Sequence, residues 1–168
     1  IDGETGTGKT LVAHALHAVG PRAGKRFVSV SCFGMDDEQL TARLFGPVET
    51  GGLPLIEEAR GGTLCLEDVE ALSPALQGRL LTFINTQATP PETRIVAVCN
   101  EHKPGSTLED ILRPDLYYRL VAMKLTLPPL RTRGEDILAL FKSYAEDYAE
   151  EYGCPAPDLS AQDAAYLL

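Results

Sequence analysis

Eight residues near the start of the chain, Gly3-Glu4-Thr5-Gly6-Thr7-Gly8-Lys9-Thr10, restrict its fold more than any other feature. They match the pattern G-x-x-x-x-G-K-[ST], with one further glycine inside it. Glycines let successive backbone N–H groups turn inward around phosphate oxygens, and a helix that follows presents its positive N-terminal end to them. In such a loop Lys9 reaches the terminal phosphates and Thr10 can ligate Mg²⁺. The candidate binding stretch therefore runs from Gly3 through Glu4, Thr5, Gly6, Thr7, Gly8, Lys9 and Thr10 to Leu11. A loop of this kind normally follows a buried strand, so the chain reads as an excerpt that opens with the loop already under way.

The rest of the sequence alternates helical and strand patterns. Leu11, Val12, Ala15, Leu16 and Val19 recur at helical spacing over Lys9 to Val19, and Phe27 to Val30 is a short β-rich run. Asp36 to Phe45 reads as a helix capped by Asp36 or Asp37, and Pro47 to Pro54 as a Gly- and Pro-interrupted connection. Thr63 to Leu66 is an apolar strand. Ser73-Pro74 supplies an N-cap and a first-turn proline for a helix whose stripe is Leu76, Leu80, Leu81 and Ile84. Arg94 to Cys99 is a further apolar strand, followed by a polar loop, a helical piece over Leu108 to Tyr118 and a strand at Lys124 to Leu127. Pro128-Pro129 resembles a hinge, beyond which Ile137, Leu138, Phe141, Tyr144, Ala145 and Tyr148 mark one helical face and Ser160 opens another helix. Strands alternating with helices imply an α/β fold, a parallel sheet covered on both faces.

Charge and cysteine usage exclude several classes. With a net charge of −9 and a pI near 4.8, the chain is a poor polyanion binder, so DNA contact would need a segment outside it. No apolar run is long enough to span a membrane and no leader pattern is present, which points to the cytoplasm. Cys32, Cys65, Cys99 and Cys154 are scattered, which favours buried free thiols over a zinc site or disulfides.

Three further groups carry possible chemistry. Leu64-Cys65-Leu66-Glu67-Asp68 is an apolar strand ending in two carboxylates about sixty residues after the loop. One of Glu67 and Asp68 can hold Mg²⁺ with Thr10 while the other orients an attacking water; alternatively, both are solvated acids of a turn. Asn100 ends the strand begun at Arg94, where its amide can meet a γ-phosphate or simply favour a turn. Arg113 and Arg119 lie six apart among acidic neighbours that can hold them in surface pairs; as arginine fingers they would instead stabilise a phosphoryl group bound to a neighbouring subunit. His14, His17 and His102 show no arrangement.

Four separated segments resemble one family: the AAA+ domain of bacterial enhancer-binding proteins, the activators that work with sigma-54 RNA polymerase. They are Gly3 to Ala13, Leu44-Phe45-Gly46, Gly61-Gly62-Thr63-Leu64 with the acids after it, and Arg113-Pro114-Asp115-Leu116-Tyr117-Tyr118-Arg119-Leu120 with Leu127-Pro128-Pro129-Leu130-Arg131. The resemblance implies a P-loop NTPase core over residues 1–129, its first strand truncated, and the start of a helical lid over 130–168. It implies ATP and Mg²⁺ as cofactors, Glu67 and Asp68 as the Walker B acids, Asn100 as the first sensor, and Arg113 and Arg119 as trans-acting fingers. It also implies hexameric or heptameric rings, an RNA polymerase sigma factor as partner, and DNA contact through a C-terminal helix-turn-helix outside this chain.

The chain departs from that family's pattern at three places. Leu44-Phe45-Gly46 is followed by Pro47-Val48-Glu49-Thr50-Gly51-Gly52 where the family inserts the GAFTGA loop that touches sigma-54. The acids run Glu67-Asp68 where the family has Asp then Glu. Ser31 stands where the family usually has an Asn that restrains the catalytic glutamate. These features lead to two expectations: a transcription-regulator ATPase whose nucleotide state controls ring assembly, or a nucleotide-gated assembly module with little turnover that acts as a repressor or with the housekeeping polymerase.

Overall fold

The computed structural model describes residues 1–46, 52–87, 91–100, 108–134, 136–160 and 162–164. The chain divides into two units, Ile1–Leu127 and Pro128–Leu168. Residues 47–51 of the expected connection from Pro47 to Pro54, and the polar loop 101–107, lie outside the described residues.

The first unit is built on parallel strands. β1 (Asp2–Gly3) pairs with β5 (Cys99–Asn100) on one side and β6 (Thr126–Leu127) on the other, while β2 (Phe27–Ser31) pairs with β3 (Thr63–Glu67) and β3 with β4 (Arg94–Ala97). The expectation of one uninterrupted strand from Arg94 to Cys99 is corrected here, because the chain changes partner at Val98. The Val98 N–H donates to Leu66 O at 2.8 Å, and the next residue, Cys99, donates to Ile1 O at 3.0 Å. One residue therefore joins two ladders, giving the spatial order β2, β3, β4 with β5, β1, β6.

The sequence reasons for the helices are mostly local. α1 (Lys9–Ala18) starts directly from the glycine loop. α2 (Asp37–Phe45) is capped by the Asp36 side chain, which accepts from the Gln39 N–H, and α4 (Pro74–Thr86) by Ser73, which accepts from the Leu76 N–H. A short α3 (Leu55–Glu58) precedes β3. The helical piece expected from Leu108 to Tyr118 is two elements, α5 (Leu108–Ile111) and α6 (Pro114–Leu120). Pro114 forces the break, since the residue before a proline is pushed out of the helical region, and Arg113 sits at φ −55°, ψ 136°. The strand expected over Lys124 to Leu127 contracts to β6.

β3 shows why the sheet is buried on both faces. Leu64 and Leu66 are inaccessible and join Val28, Val30, Leu40, Leu76, Leu80 and Leu116 in one cluster, whereas Cys65 turns the other way to meet Ala13, Val96 and Val98. Period-two alternation sends successive residues to opposite layers. Truncating Leu64 or Leu66 to alanine would cost about 2–5 kcal/mol, because their layer cannot collapse fully into the void.

In the second unit, a 3₁₀ turn at Leu130–Thr132 leads to α7 (Asp136–Tyr152). Phe141, Tyr144, Tyr148 and Tyr152 are exposed along α7, with the Tyr148 and Tyr152 rings stacked 5.9 Å apart. Ser160 and Asp163 exchange a reciprocal cap: the Ser160 N–H donates to Asp163 Oδ2 at 3.0 Å and the Asp163 N–H to Ser160 Oγ at 3.2 Å. Among the described residues no helix is long and apolar enough to cross a membrane.

Candidate functional site

The Gly3–Thr10 loop forms at the C-terminal end of β1. Gly6 and Gly8 take φ of 86° and 88°, a left-handed geometry that a side chain would resist. Gly3, at φ 151°, is needed for a second reason as well, since a Cβ there would lie 2.6 Å from the Leu127 carbonyl oxygen. Lys9 is buried, and its ammonium donates to the carbonyls of Gly3 at 3.0 Å and Glu4 at 2.7 Å, bracing the loop from within. The Thr7 hydroxyl donates to Glu4 O at 2.8 Å. The first turn of α1 carries no acid of its own, and its positive end faces the loop. Leu11 belongs to the same turn but points its side chain outward, 64% exposed.

The acids at the end of β3 take separate surroundings. Thr10 Oγ1 donates to Glu67 Oε2 at 2.9 Å, and the Ser29 hydroxyl donates to Glu67 Oε1. Asp68 turns away into a left-handed conformation with φ 54°, the one positive φ outside glycine among the described residues. Its Oδ2 accepts from Ser31 Oγ at 2.7 Å and its Oδ1 from Asn100 Nδ2 at 2.6 Å. Asn100 is itself fixed by Glu70, whose Oε1 accepts from the Asn100 N–H at 3.0 Å and the amide at 3.3 Å. Thr5 Oγ1 donates to Asn100 Oδ1 at 3.3 Å, which brings the phosphate loop into the same network. The strand order explains the meeting: β5 lies beside β1, so Asn100 ends level with Gly3.

Thr10, Glu67 and Asp68 offer hydroxyl and carboxylate oxygens, a donor set suited to Mg²⁺. Among the described residues no three His, Cys, Asp or Glu side chains gather as a metal site by themselves, so phosphate oxygens and water would have to complete the coordination.

The two arginines are not part of this cluster. Arg113 makes a two-pronged ion pair with Asp115, at 3.1 Å from Nε and 2.8 Å from Nη2, which raises the arginine and lowers the aspartate from their ordinary pKa values. Both side chains are about half exposed, the surface pairing foreseen from their neighbours. The Arg113 N–H donates to Gln77 Oε1 at 2.8 Å, fixing the start of α6 on α4. Arg119 lines a cavity of about 520 Å³ between β4 and the 121–125 segment, whose walls include none of Gly6–Thr10, Glu67, Asp68 or Asn100.

Sequence reading missed Ser29, Glu70 and His17. Ser29 and Ser31 alternate with buried Val28 and Val30, so the pattern shows that they share a face, but not that β3 lies beside them. His17 is buried, with Nδ1 2.9 Å from Thr63 Oγ1 and Nε2 3.1 Å from Lys25 O. The expectation of four buried thiols holds for Cys32, Cys65 and Cys99 and fails for Cys154, which is exposed beyond α7. Burial pushes the first three thiols up to about 12, 12 and 11.

This geometry has counterparts among known proteins. The chain is 34% identical over 170 residues to the HTH-type transcriptional regulatory protein TyrR of Citrobacter braakii, covering 96% of this chain and 33% of that protein. It is 36% identical over 183 residues to the C4-dicarboxylate transport transcriptional regulatory protein DctD of Pseudomonas aeruginosa, covering 99% and 39%. The chain thus spans about a third to two fifths of the length of these relatives. NtrX from Brucella abortus, crystallised in complex with ADP, superposes with a TM-score of 0.84 at 30% identity over 99% of this chain and 40% of that one. The sigma-54 interaction domain model matches residues 1–126, and with the parallel P-loop core described above the chain belongs to the sigma-54 interaction domain family.

Proposed function

We propose that this domain binds Mg–ATP in the Gly3–Thr10 loop and hydrolyses it, and that nucleotide state governs assembly of subunits in a bacterial transcription regulator. The observation that carries the reading is the convergence of Thr10, Glu67, Asp68 and Asn100 beside that loop. NtrX, a relative at 30% identity, has been crystallised with ADP, and TyrR and DctD are named transcriptional regulators.

In this reading the N–H groups of Gly6 to Thr10 and the Lys9 ammonium bind the phosphates, Lys9 exchanging its present carbonyl partners for phosphate oxygens. Thr10 and Glu67 would hold the cation, which would supply charge neutralisation to the bound phosphates. Asp68 orients the attacking water by accepting its proton in a hydrogen bond, and the Ser31 and Asn100 hydrogen bonds fix the direction of that carboxylate. Arg113 and Arg119 act on the nucleotide of an adjoining subunit in a hexameric or heptameric ring, for which Arg113 must leave Asp115.

The output partner is assigned to RNA polymerase through a contact other than the GAFTGA loop, because Pro47 to Gly52 does not have that sequence. DNA contact belongs to a helix-turn-helix outside this chain. A second reading, a nucleotide-gated assembly module with little turnover that acts as a repressor or with the housekeeping polymerase, is favoured by one observation: both oxygens of Asp68 are engaged by protein donors.

The test is steady-state Mg–ATP hydrolysis against protein concentration in the full chain, beside Lys9→Ala, with ATP binding measured on the same samples. Specific activity that rises with concentration and vanishes in Lys9→Ala supports the ATPase. Binding without turnover selects the second reading, and absence of ATP binding would sink both.

A further inference from the structure

We propose that Ser29 is a positioning residue for Glu67, its hydroxyl fixing one carboxylate oxygen while Thr10 fixes the other, so that the Glu-then-Asp order is matched to the serines of β2. The inference rests on the Mg–ATP reading and adds to it a residue which that reading does not require.

The argument begins with strand register. β2 and β3 run parallel with Ser31 opposite Glu67 and Ser29 opposite Cys65. Because side chains alternate, Ser29, Ser31, Cys65 and Glu67 project to one face, the face against which Ala13 of α1 packs on Cys65. Glu67 reaches back along this face toward Ser29, two residues before its own partner in register, and forward to Thr10 at the start of α1. A single hydroxyl would leave the terminal torsion of a glutamate broad and nearly free. Two donors, one on each oxygen and from different elements, remove that freedom.

The same geometry makes the position specific for glutamate. An aspartate is shorter by one C–C bond, about 1.5 Å. Retracting the carboxylate by that amount from a 2.9 Å contact with Thr10 takes it beyond hydrogen-bond distance, and it retreats from Ser29 as well. The adjacent acid is treated in the complementary way: the left-handed backbone at Asp68 brings a short side chain onto Ser31 and Asn100. Each serine of β2 thus serves one acid, and the reversal of the acids and the pair of hydroxyls form one arrangement.

The test uses the full chain and four variants, Ser29→Ala, Ser29→Thr, Glu67→Asp and the double Ser29→Ala/Glu67→Asp. Affinity for a fluorescent ATP analogue is measured with Mg²⁺ and again in EDTA, and melting in EDTA verifies that each variant is folded. Ser29→Ala is expected to weaken Mg²⁺-dependent affinity about tenfold, as for loss of one charge-assisted hydrogen bond, with affinity in EDTA unchanged. Ser29→Thr keeps the hydroxyl and recovers most of the loss, and Ser29→Ala has no further effect once Glu67 is Asp. Mg²⁺-dependent binding that is intact in the unmutated protein and unmoved by Ser29→Ala, or losses that add fully in the double variant, would overturn the role of Ser29 alone. Absence of Mg²⁺-dependent ATP binding in the unmutated protein would overturn the reading of the whole site, and this proposal with it.

Discussion

Replacing Thr63 by valine removes one hydroxyl and keeps the shape of the side chain, at a position with 0% exposure. Its Oγ1 lies 2.9 Å from Nδ1 of buried His17, and the other ring nitrogen, Nε2, is 3.1 Å from the Lys25 carbonyl. A carbonyl only accepts, so in the neutral imidazole Nε2 carries the proton, Nδ1 is an acceptor and Thr63 donates. Thr63→Val therefore strands a buried acceptor, at a cost of about 1–3 kcal/mol. With a urea m-value of about 2 kcal/mol/M, a loss of about 2 kcal/mol lowers the unfolding midpoint by roughly 1 M. The chain has no tryptophan, so unfolding is followed by far-UV circular dichroism. His17→Leu is the control: in its background Thr63→Val should cost much less, because the stranded acceptor is gone. A Thr63→Val midpoint within experimental error of the parent, or an equal cost in both backgrounds, would refute the assignment. The pair matters for the site as well. Thr10 at one end of α1 meets Glu67 at the end of β3, and His17 at the other end of α1 meets Thr63 at its start. Seven helical residues rise about 10 Å and four strand residues about 13 Å, so two hydrogen bonds clamp helix and strand along most of their common length.

Three more outcomes follow from the same structure. The double exchange Glu67→Asp/Asp68→Glu should lower Mg–ATP turnover by about a hundredfold, as expected for carboxylates misplaced by ~1 Å; a rise in turnover would show that the natural order is the defective one. Arg113→Ala should leave ATP affinity within about twofold and remove the rise of specific activity with protein concentration, measured by coupled hydrolysis assay at several concentrations. For the thiols, an aromatic disulfide reagent at pH 8 should modify Cys154 rapidly and Cys32, Cys65 and Cys99 only on unfolding. Folding holds those three thiols protonated above their usual 9.0, so their stabilising contribution is complete below pH 9 and declines as pH rises toward 11 to 12; urea midpoints at pH 8 and pH 10.5 should differ in that direction.

What could be read in the sequence was local in origin. The glycine loop and α1, the Asp36 and Ser73 caps, and β3 with its terminal acids depend on neighbours a few residues apart, and the sequence carries those signals directly. The break at Pro114 is equally local, since a proline disfavours helical geometry at the residue before it. The change of partner at Val98 was not legible, because Val96, Val98 and Cys99 are all apolar and only the positions of β1 and β3 determine where one ladder ends and the next begins. His17, Ser29 and Glu70 were hidden for the same reason. Each is an ordinary residue in its own segment, and its role comes from a partner 30 to 46 residues away.

The order of the acids shows how far such a reading can mislead when it stays one-dimensional. Compared by position with the family pattern, Glu67-Asp68 counts as two displaced carboxylates and Ser31 as a lost restraint. In three dimensions the displacement is taken up elsewhere. The longer acid is met by hydroxyls on β2 and α1, and the shorter one is carried by a left-handed backbone to Ser31 and Asn100. What the site requires is oxygen atoms at fixed places, and a side chain one methylene longer can meet that requirement if its anchors lie correspondingly further back. A substitution that restores the family order at 67 and 68 without moving those anchors would therefore leave the carboxylate at 67 short of Thr10 and Ser29.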